Sequence, residues 1–179
     1  MELSNTAYVI LGLLRSAPRS GYEIKQVVDK STRFFWATSY GQIYPELKRL
    51  AAAGMVDAAE APRGGRRRTV YRLTAAGRKE LRRWLERDPE TFELRDEGLL
   101  KLFFSAGGGP EAPLGAIAAK RRQHAATLDQ LREIEPAVRA FDDPHPHVVL
   151  RYGIELNEWM LAWCDRATGE LERGRRKAA

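Results

Sequence analysis

The stretch SYGQIYPELKRLAAAGMV, residues 39–56, reads as a helix that runs directly into a strand. Ser39 suits an N-cap, and Ile43, Leu47 and Leu50 recur at the four- and three-residue spacing of one helix face. Gly54 closes the helix before the chain restarts as an apolar segment. Pro45 sits beyond the first turn, where it removes a backbone donor and crowds the carbonyl of Gly41. On a helical wheel Gly41, Pro45, Lys48 and Ala52 fall opposite the apolar stripe, flanked by Gln42 and Arg49. Tyr40 lies beside the stripe and Tyr44 on its border. One face is made for a core, and the other lets a partner approach the helix backbone.

Working outward, Ser4 caps a first helix that runs to about Arg15, with Leu3, Tyr8, Leu11 and Leu14 apolar. SAPRSG breaks it, and Ser20 caps a second helix whose apolar side is Tyr22, Ile24, Val27 and Val28. Beyond the quoted stretch, MVDAAEA and RTVYRL are short extended segments joined by the basic turn PRGGRRR. Thr74 caps a fourth helix with Leu81, Trp84 and Leu85 on one side. Three helices, a two-stranded hairpin and a closing helix make a winged helix-turn-helix over residues 1–88.

Residues 89–179 read as all helix. RDEGLLKLFFSAGGG is a short helix stopped by glycines, and a longer one runs from about Glu111 to Val138. After the interruption FDDPHPH, the last helix carries a seam of Val149, Tyr152, Leu156, Trp159 and Trp163, with Met160 beside it. That seam is wide enough to need a partner helix, although part of it can pack on the 111–138 helix. The fold class is therefore mainly α with a small β-hairpin: a winged helix-turn-helix domain followed by an all-helical dimerisation domain.

Charge separates the halves. Residues 1–87 hold 17 Lys/Arg against 8 Asp/Glu, a charge of +9; residues 88–179 hold 13 against 16, a charge of −3. A basic half beside a mildly acidic one points to a polyanion partner for the first. One cysteine, Cys164, excludes an internal disulfide. No signal peptide is read, and AYVILGLL is too short to span a bilayer. The expected location is the cytoplasm, with no membrane partner.

SGYEI in the second helix, YGQIYPELKRLAAAGMV in the third helix and first strand, and YRLTAAGRKEL after the basic wing resemble the PadR family of bacterial transcriptional regulators. The three motifs cover the first half of the chain. The second half is similar in layout to the longer-tailed members, whose C-terminal helices dimerise. The resemblance implies a homodimer that binds a pseudo-palindromic operator, usually as a repressor. It also implies that a small phenolic or cationic effector releases the DNA in several members.

A recognition helix offers its N-terminal residues to base edges in the major groove. The DNA-reading set is therefore Ser39, Tyr40, Gln42, Tyr44, Lys48 and Arg49. Gln42 suits adenine, and Lys48 and Arg49 suit guanine or phosphate. In the wing, Arg63, Arg66, Arg67 and Arg68 suit phosphates or a narrow minor groove. Tyr22 is either a phosphate contact or a core tyrosine at a helix start. Val149, Leu156, Trp159, Met160 and Trp163 are the expected dimer interface. Leu99, Leu100, Leu102, Phe103 and Phe104 form a further apolar cluster for docking onto the winged domain or a second subunit. Trp36, Tyr152, Trp159 and Trp163 are the candidate aromatic effector pocket, against ordinary packing as the alternative.

Catalysis is not expected. Cys164 reads as a small buried hydrophobe. Asp142, Asp143, His145 and His147 are types that bind zinc, but the intervening prolines favour a stiff interhelical loop, so no metal or cofactor is assigned. Two rival readings are a sequence-nonspecific nucleic-acid protein and a winged-helix protein-interaction module. The second would lack the Gln42, Lys48, Arg49 and wing-arginine array.

Overall fold

Ser4, Ser20 and Thr74 each end an extended segment and begin a helix. All three have ψ near 160–170°, and their side-chain oxygens accept from the backbone N–H three residues on, in Ala7, Glu23 and Gly77. In this computed structural model, which describes residues 3–63, 66–90, 95–109 and 111–178, the first unit, Met1–Phe92, contains α1 (Asn5–Leu14), α2 (Gly21–Lys30), α3 (Tyr40–Ala52) and α4 (Ala75–Leu85). A short 3₁₀ turn, Thr32–Phe34, lies between α2 and α3.

The core of this unit is the meeting of the helix stripes. Ile10, Leu11, Ile24, Val28, Ile43, Leu47 and Leu50 are all fully buried. Each such side chain contributes roughly 1.5–3 kcal/mol relative to exposure. Trp84 of α4 stacks on Tyr8 of α1, with ring centroids 4.5 Å apart and planes within 8°. At the end of α3, Gly54 takes φ +67°. Met55 N–H then bonds back to Leu50 C=O and Gly54 N–H to Ala51 C=O, at 2.9 and 3.0 Å. That reversal aims the chain straight into the sheet.

The sheet has three antiparallel strands, β1 (Arg19–Ser20), β2 (Val56–Arg63) and β3 (Arg66–Leu73), in the order β1-β3-β2. β2 and β3 pair from Val56↔Leu73 out to Arg63↔Arg66. The two-stranded expectation is corrected by β1. Arg19 and Ser20, read as a break and a cap, are extended ahead of α2 and pair with Tyr71 and Val70. Two residues are too few to show an alternating pattern in sequence. Two apolar assignments also change. Tyr22 and Leu85 are 52 % and 66 % exposed, because Gly21, Ile24 and Val28 form the buried stripe of α2 and Gly77, Leu81 and the half-buried Trp84 form the core side of α4.

The second unit, Glu93–Ala179, holds α5 (Glu97–Phe103), α6 (Ala112–Arg139) and α7 (His145–Ala178). Asp96 caps α5 by accepting from Leu99 N–H at 2.9 Å. Glycines and a 3₁₀ turn at Ser105–Gly107 follow α5. Helices α6 and α7 pack along their length through Ile117, Leu128 and Leu131 on one side and Leu150, Asn157 and Cys164 on the other. Gly153 admits Leu131, whose Cδ1 would stand 3.1 Å from a methyl group there.

This packing fixes which stripe of α7 meets α6. The stripe that meets α6 is Leu150, Asn157 and Cys164, seven residues apart. The stripe beside it, Val149, Tyr152, Leu156 and Trp159, is left at the surface, while Met160 and Trp163 are half-buried. Leu100, Phe103 and Phe104 are also exposed. Among the described residues no helix is long and apolar enough to cross a membrane.

Candidate nucleic-acid interface

With Ile43, Leu47 and Leu50 buried, α3 presents Tyr40, Gly41, Gln42, Tyr44, Pro45, Lys48 and Arg49 at the surface. Pro45 is on this open side, so its ring meets no core atom, and α3 continues through it without interruption. The Gly41 carbonyl, which has no N–H to receive from residue 45, is likewise on the exposed face. That is the physical reason the proline is tolerated.

The first turn of α3 is more engaged than its sequence suggests. Gln42 Oε1 accepts from Ser39 N–H at 2.9 Å and from Ser39 Oγ at 3.2 Å, closing the helix start. The side-chain carbonyl of Gln42 is therefore in use, which leaves its NH₂ group as the donor that the cap does not occupy. Arg49 is paired with Glu46 at 2.8 Å. Lys48 is exposed on the same face.

Tyrosines surround that turn. The Tyr40 and Tyr44 rings stack with centroids 6.1 Å apart, and Lys25 Nζ stands 5.5 Å from the Tyr40 centroid. Tyr44 lies on Gly21. Burial, and then the nearby Tyr44 phenol, push the Tyr71 hydroxyl above its ordinary range. Tyr22 is exposed, and its hydroxyl accepts from Gln26 Nε2 at 3.1 Å. That exposure does not fit the core alternative for Tyr22.

The wing is the β2–β3 hairpin. Gly64 and Gly65, and the side chains of Arg63, Arg66 and Arg67, lie outside the described residues. Arg68 is described, and its Nη1 donates to Glu23 Oε1 of α2 at 2.6 Å. Glu23 Oε2 accepts from Ser20 N–H at 2.8 Å and Ser20 Oγ at 2.9 Å. The Ser20 amide and then Arg68 hold the Glu23 carboxyl down at about 2. Sequence reasoning missed Glu23; its signal was the S-x-x-E capping box in SGYE.

A second polar group was missed in the helical unit. Lys120 and Asn157 are 5 % and 6 % exposed. Lys120 Nζ donates to the Asp96 carboxylate and lies 3.2 Å from His124 Nε2. His124 Nδ1 is 2.8 Å from Asn157 Oδ1, and Asn157 Nδ2 donates to Gly153 C=O at 2.7 Å. An ammonium only donates, so Nε2 accepts and Nδ1–H donates, which orients the whole chain. Burial raises the Asp96 carboxyl, but Lys120 and the Leu99 amide outweigh it and leave it below its ordinary range. The signal in sequence was Asn157, a polar residue seven from both Leu150 and Cys164.

The remaining candidates are more dispersed. Trp36, half-buried, belongs to the first unit, and Tyr152, Trp159 and Trp163 to the second. Two open clefts in the second unit, one beside Arg95–Leu100 and one between Phe104 and Ala119, include none of them. Burial raises the Cys164 thiol, which keeps it neutral. His145 Nδ1 is 2.5 Å from Asp143 Oδ1, and His147 Nε2 is 3.5 Å from Glu135. Among the described residues, no three His, Cys, Asp or Glu side chains are grouped to hold a metal ion.

A helix with one buried and one presented face, beside a basic hairpin on a three-stranded sheet, defines a winged-helix DNA-binding regulator. Residues 10–83 match the transcriptional regulator PadR-like family, and residues 94–172 match the virulence activator alpha C-terminal family. Over 178 residues the chain is 36 % identical to the negative transcriptional regulator PadR of Bacillus subtilis (strain 168), covering 93 % of this chain and 97 % of that protein. The chain belongs to the PadR-like family of transcriptional regulators. The crystal structure of Bacillus subtilis PadR in complex with operator DNA superposes with a TM-score of 0.82 at 28 % identity, covering 92 % of this chain and 98 % of that one. The structure of that PadR with p-coumaric acid gives a TM-score of 0.73 at 26 % identity, covering 96 % and 99 %. These relatives are regulators of transcription and not enzymes.

Proposed function

We propose that this chain is a cytoplasmic, ligand-responsive repressor that binds a pseudo-palindromic operator as a homodimer. Residues 1–88 read the DNA and residues 89–179 dimerise and receive the effector. The observation that carries the reading is the division of α3, with Ile43, Leu47 and Leu50 buried and the Tyr40–Arg49 face presented beside the wing. The unpartnered stripe Val149, Tyr152, Leu156 and Trp159 supports a second copy, because a soluble monomer gains nothing by exposing four large apolar side chains in a row. Two winged domains on one two-fold axis place two recognition helices one DNA turn apart. The relative solved with p-coumaric acid supports a phenolic effector, for which Trp36, Tyr152, Trp159 and Trp163 are the aromatic candidates.

A gel shift with the promoter DNA next to its own gene tests this, repeated with phenolic and cationic compounds. Retardation at nanomolar protein, competed by the same operator and not by bulk DNA, and reversed by an effector, is the expected result. Binding that bulk DNA competes equally would favour the nonspecific reading. A monomer by size exclusion at micromolar concentration would refute the dimer.

A further inference from the structure

Arg68 does not sit where a phosphate clamp would. It is on the third rung from the hairpin turn, opposite Ala61, behind Pro62↔Arg67 and Arg63↔Arg66. Its side chain is 35 % exposed, Nη1 is committed to Glu23, and Nε is buried. A guanidinium has five N–H donors in a fixed plane, so fastening one edge to the protein sets the direction of the rest.

Glu23 is the other half of the device. One carboxylate oxygen holds the Ser20 amide and hydroxyl at the start of α2, and the other holds Arg68 of β3. Ser20 is also a residue of β1, paired with Val70 two residues beyond Arg68. The carboxylate thus ties together the start of α2, the short strand and the root of the wing. Helix α2 in turn carries Gly21, on which Tyr44 of α3 rests. Wing and recognition helix are therefore referenced to the same turn of chain.

We propose that Glu23 and Arg68 are a positioning pair that sets the angle of the wing against α2, and that Arg68 acts on DNA affinity through that angle and not as a phosphate contact. The proposal rests on the operator-binding reading above. A phosphate contact and a positioning contact differ in one measurable way. Removing the first releases fewer counterions and lowers the salt slope by about 0.9, whereas removing the second leaves the count of phosphates unchanged.

The test is operator binding by wild type, Arg68→Ala, Glu23→Gln and the double variant across a salt series. Glutamine at position 23 keeps the capping box, as Gln42 does for Ser39 in α3. Active fractions are set by stoichiometric titration. The expected result is that each single variant loses about tenfold in affinity with the wild-type slope, and that the double variant is no worse than either single. Hydroxyl-radical footprints at saturation should keep protection both at the wing flanks and under α3, because the phosphate contacts remain and only their strength changes. A slope lowered by about one for Arg68→Ala, with Glu23→Gln binding as well as wild type or better, overturns the proposal. So does wild-type affinity in both single variants. A wild-type chain that ignores operator DNA refutes the operator reading instead, a distinct outcome.

Discussion

Gly21 lies directly under the ring of Tyr44: a methyl group there would stand 2.7 Å from Cε1, 3.1 Å from Cζ and 3.2 Å from Leu47 Cδ1. Leu47 is fully buried and cannot yield, whereas Tyr44 is 44 % exposed and can swing outward. Gly21→Ala therefore displaces a presented tyrosine rather than the core. Its cost in folding is offset by the better helix propensity of alanine, so stability should stay within about 1 kcal/mol of wild type. Operator affinity should fall by about tenfold or more, since Tyr44 moves off the α3 face. Placed on a Tyr44→Ala background, the same substitution should have little further effect on binding. Thermal melts beside gel-shift titrations of the four proteins check both halves.

Gln42 has two jobs on opposite ends of one amide. Its carbonyl closes the start of α3 on Ser39, and its NH₂ is not used by that cap. Gln42→Glu keeps the acceptor, and a carboxylate at a helix N-terminus is favoured by the dipole, so the melting temperature should hold or rise. Operator binding should fall, because a donor becomes a negative charge facing DNA. Gln42→Ala loses the cap as well and should cost about 1 kcal/mol in stability. Its binding-site selection profile should also lose discrimination at the base that Gln42 meets. An unaltered profile would remove Gln42 from the reading set.

How much of this was legible beforehand depends on the kind of pattern. The helix order, the caps at Ser4, Ser20 and Thr74 and the close at Gly54 rest on local chemistry that sequence displays. The α3 stripe was equally plain, since Ile43, Leu47 and Leu50 have no other stable place. What escaped needs a partner from elsewhere in the chain. Strand β1 exists only because Val70 and Tyr71 offer it a ladder. Glu23 and Arg68 are 45 positions apart, so their bond has no local signature. Which stripe of α7 meets α6 was not legible, because Asn157 and Cys164 look less apolar than Tyr152 and Trp159. The buried Lys120 was hidden because its letter reads as surface until Asp96 is placed beside it.

Acid should act on the first unit through Glu23. The Ser20 amide and Arg68 lower its carboxyl in the folded state from 4.5 to about 2. Between those values the unfolded chain binds the proton more readily, so the stabilisation is fully present above about pH 5 and is lost as pH falls toward 2. Glu23→Gln, which has no proton to take up there, should flatten that part of the acid limb. Urea melts from pH 6 to pH 2.5, followed by fluorescence in a Trp36→Phe, Trp159→Phe, Trp163→Phe background so that Trp84 alone emits, read the difference. Parallel curves for the two proteins would mean that neither the Ser20 amide nor Arg68 holds the Glu23 carboxyl down in solution.

The helical unit should show the cost of leaving one charge behind. Lys120 Nζ is the donor for both Asp96 and His124, and its side chain is 4 % exposed. Lys120→Met keeps the chain length and the packing but strands a carboxylate against α6. Breaking a buried pair from one side costs roughly 3–5 kcal/mol, with the low end expected here because Asp96 is partly exposed. Adding Asp96→Asn removes the stranded charge and keeps an N-cap acceptor for Leu99. The double variant should therefore be more stable than Lys120→Met alone, by about half of what the single substitution loses. Denaturation at one fixed protein concentration checks this, because the proposed dimer would make apparent stability depend on concentration. A double variant less stable than the single would mean that Asp96 draws its support from the α5 cap and from water, and not from Lys120.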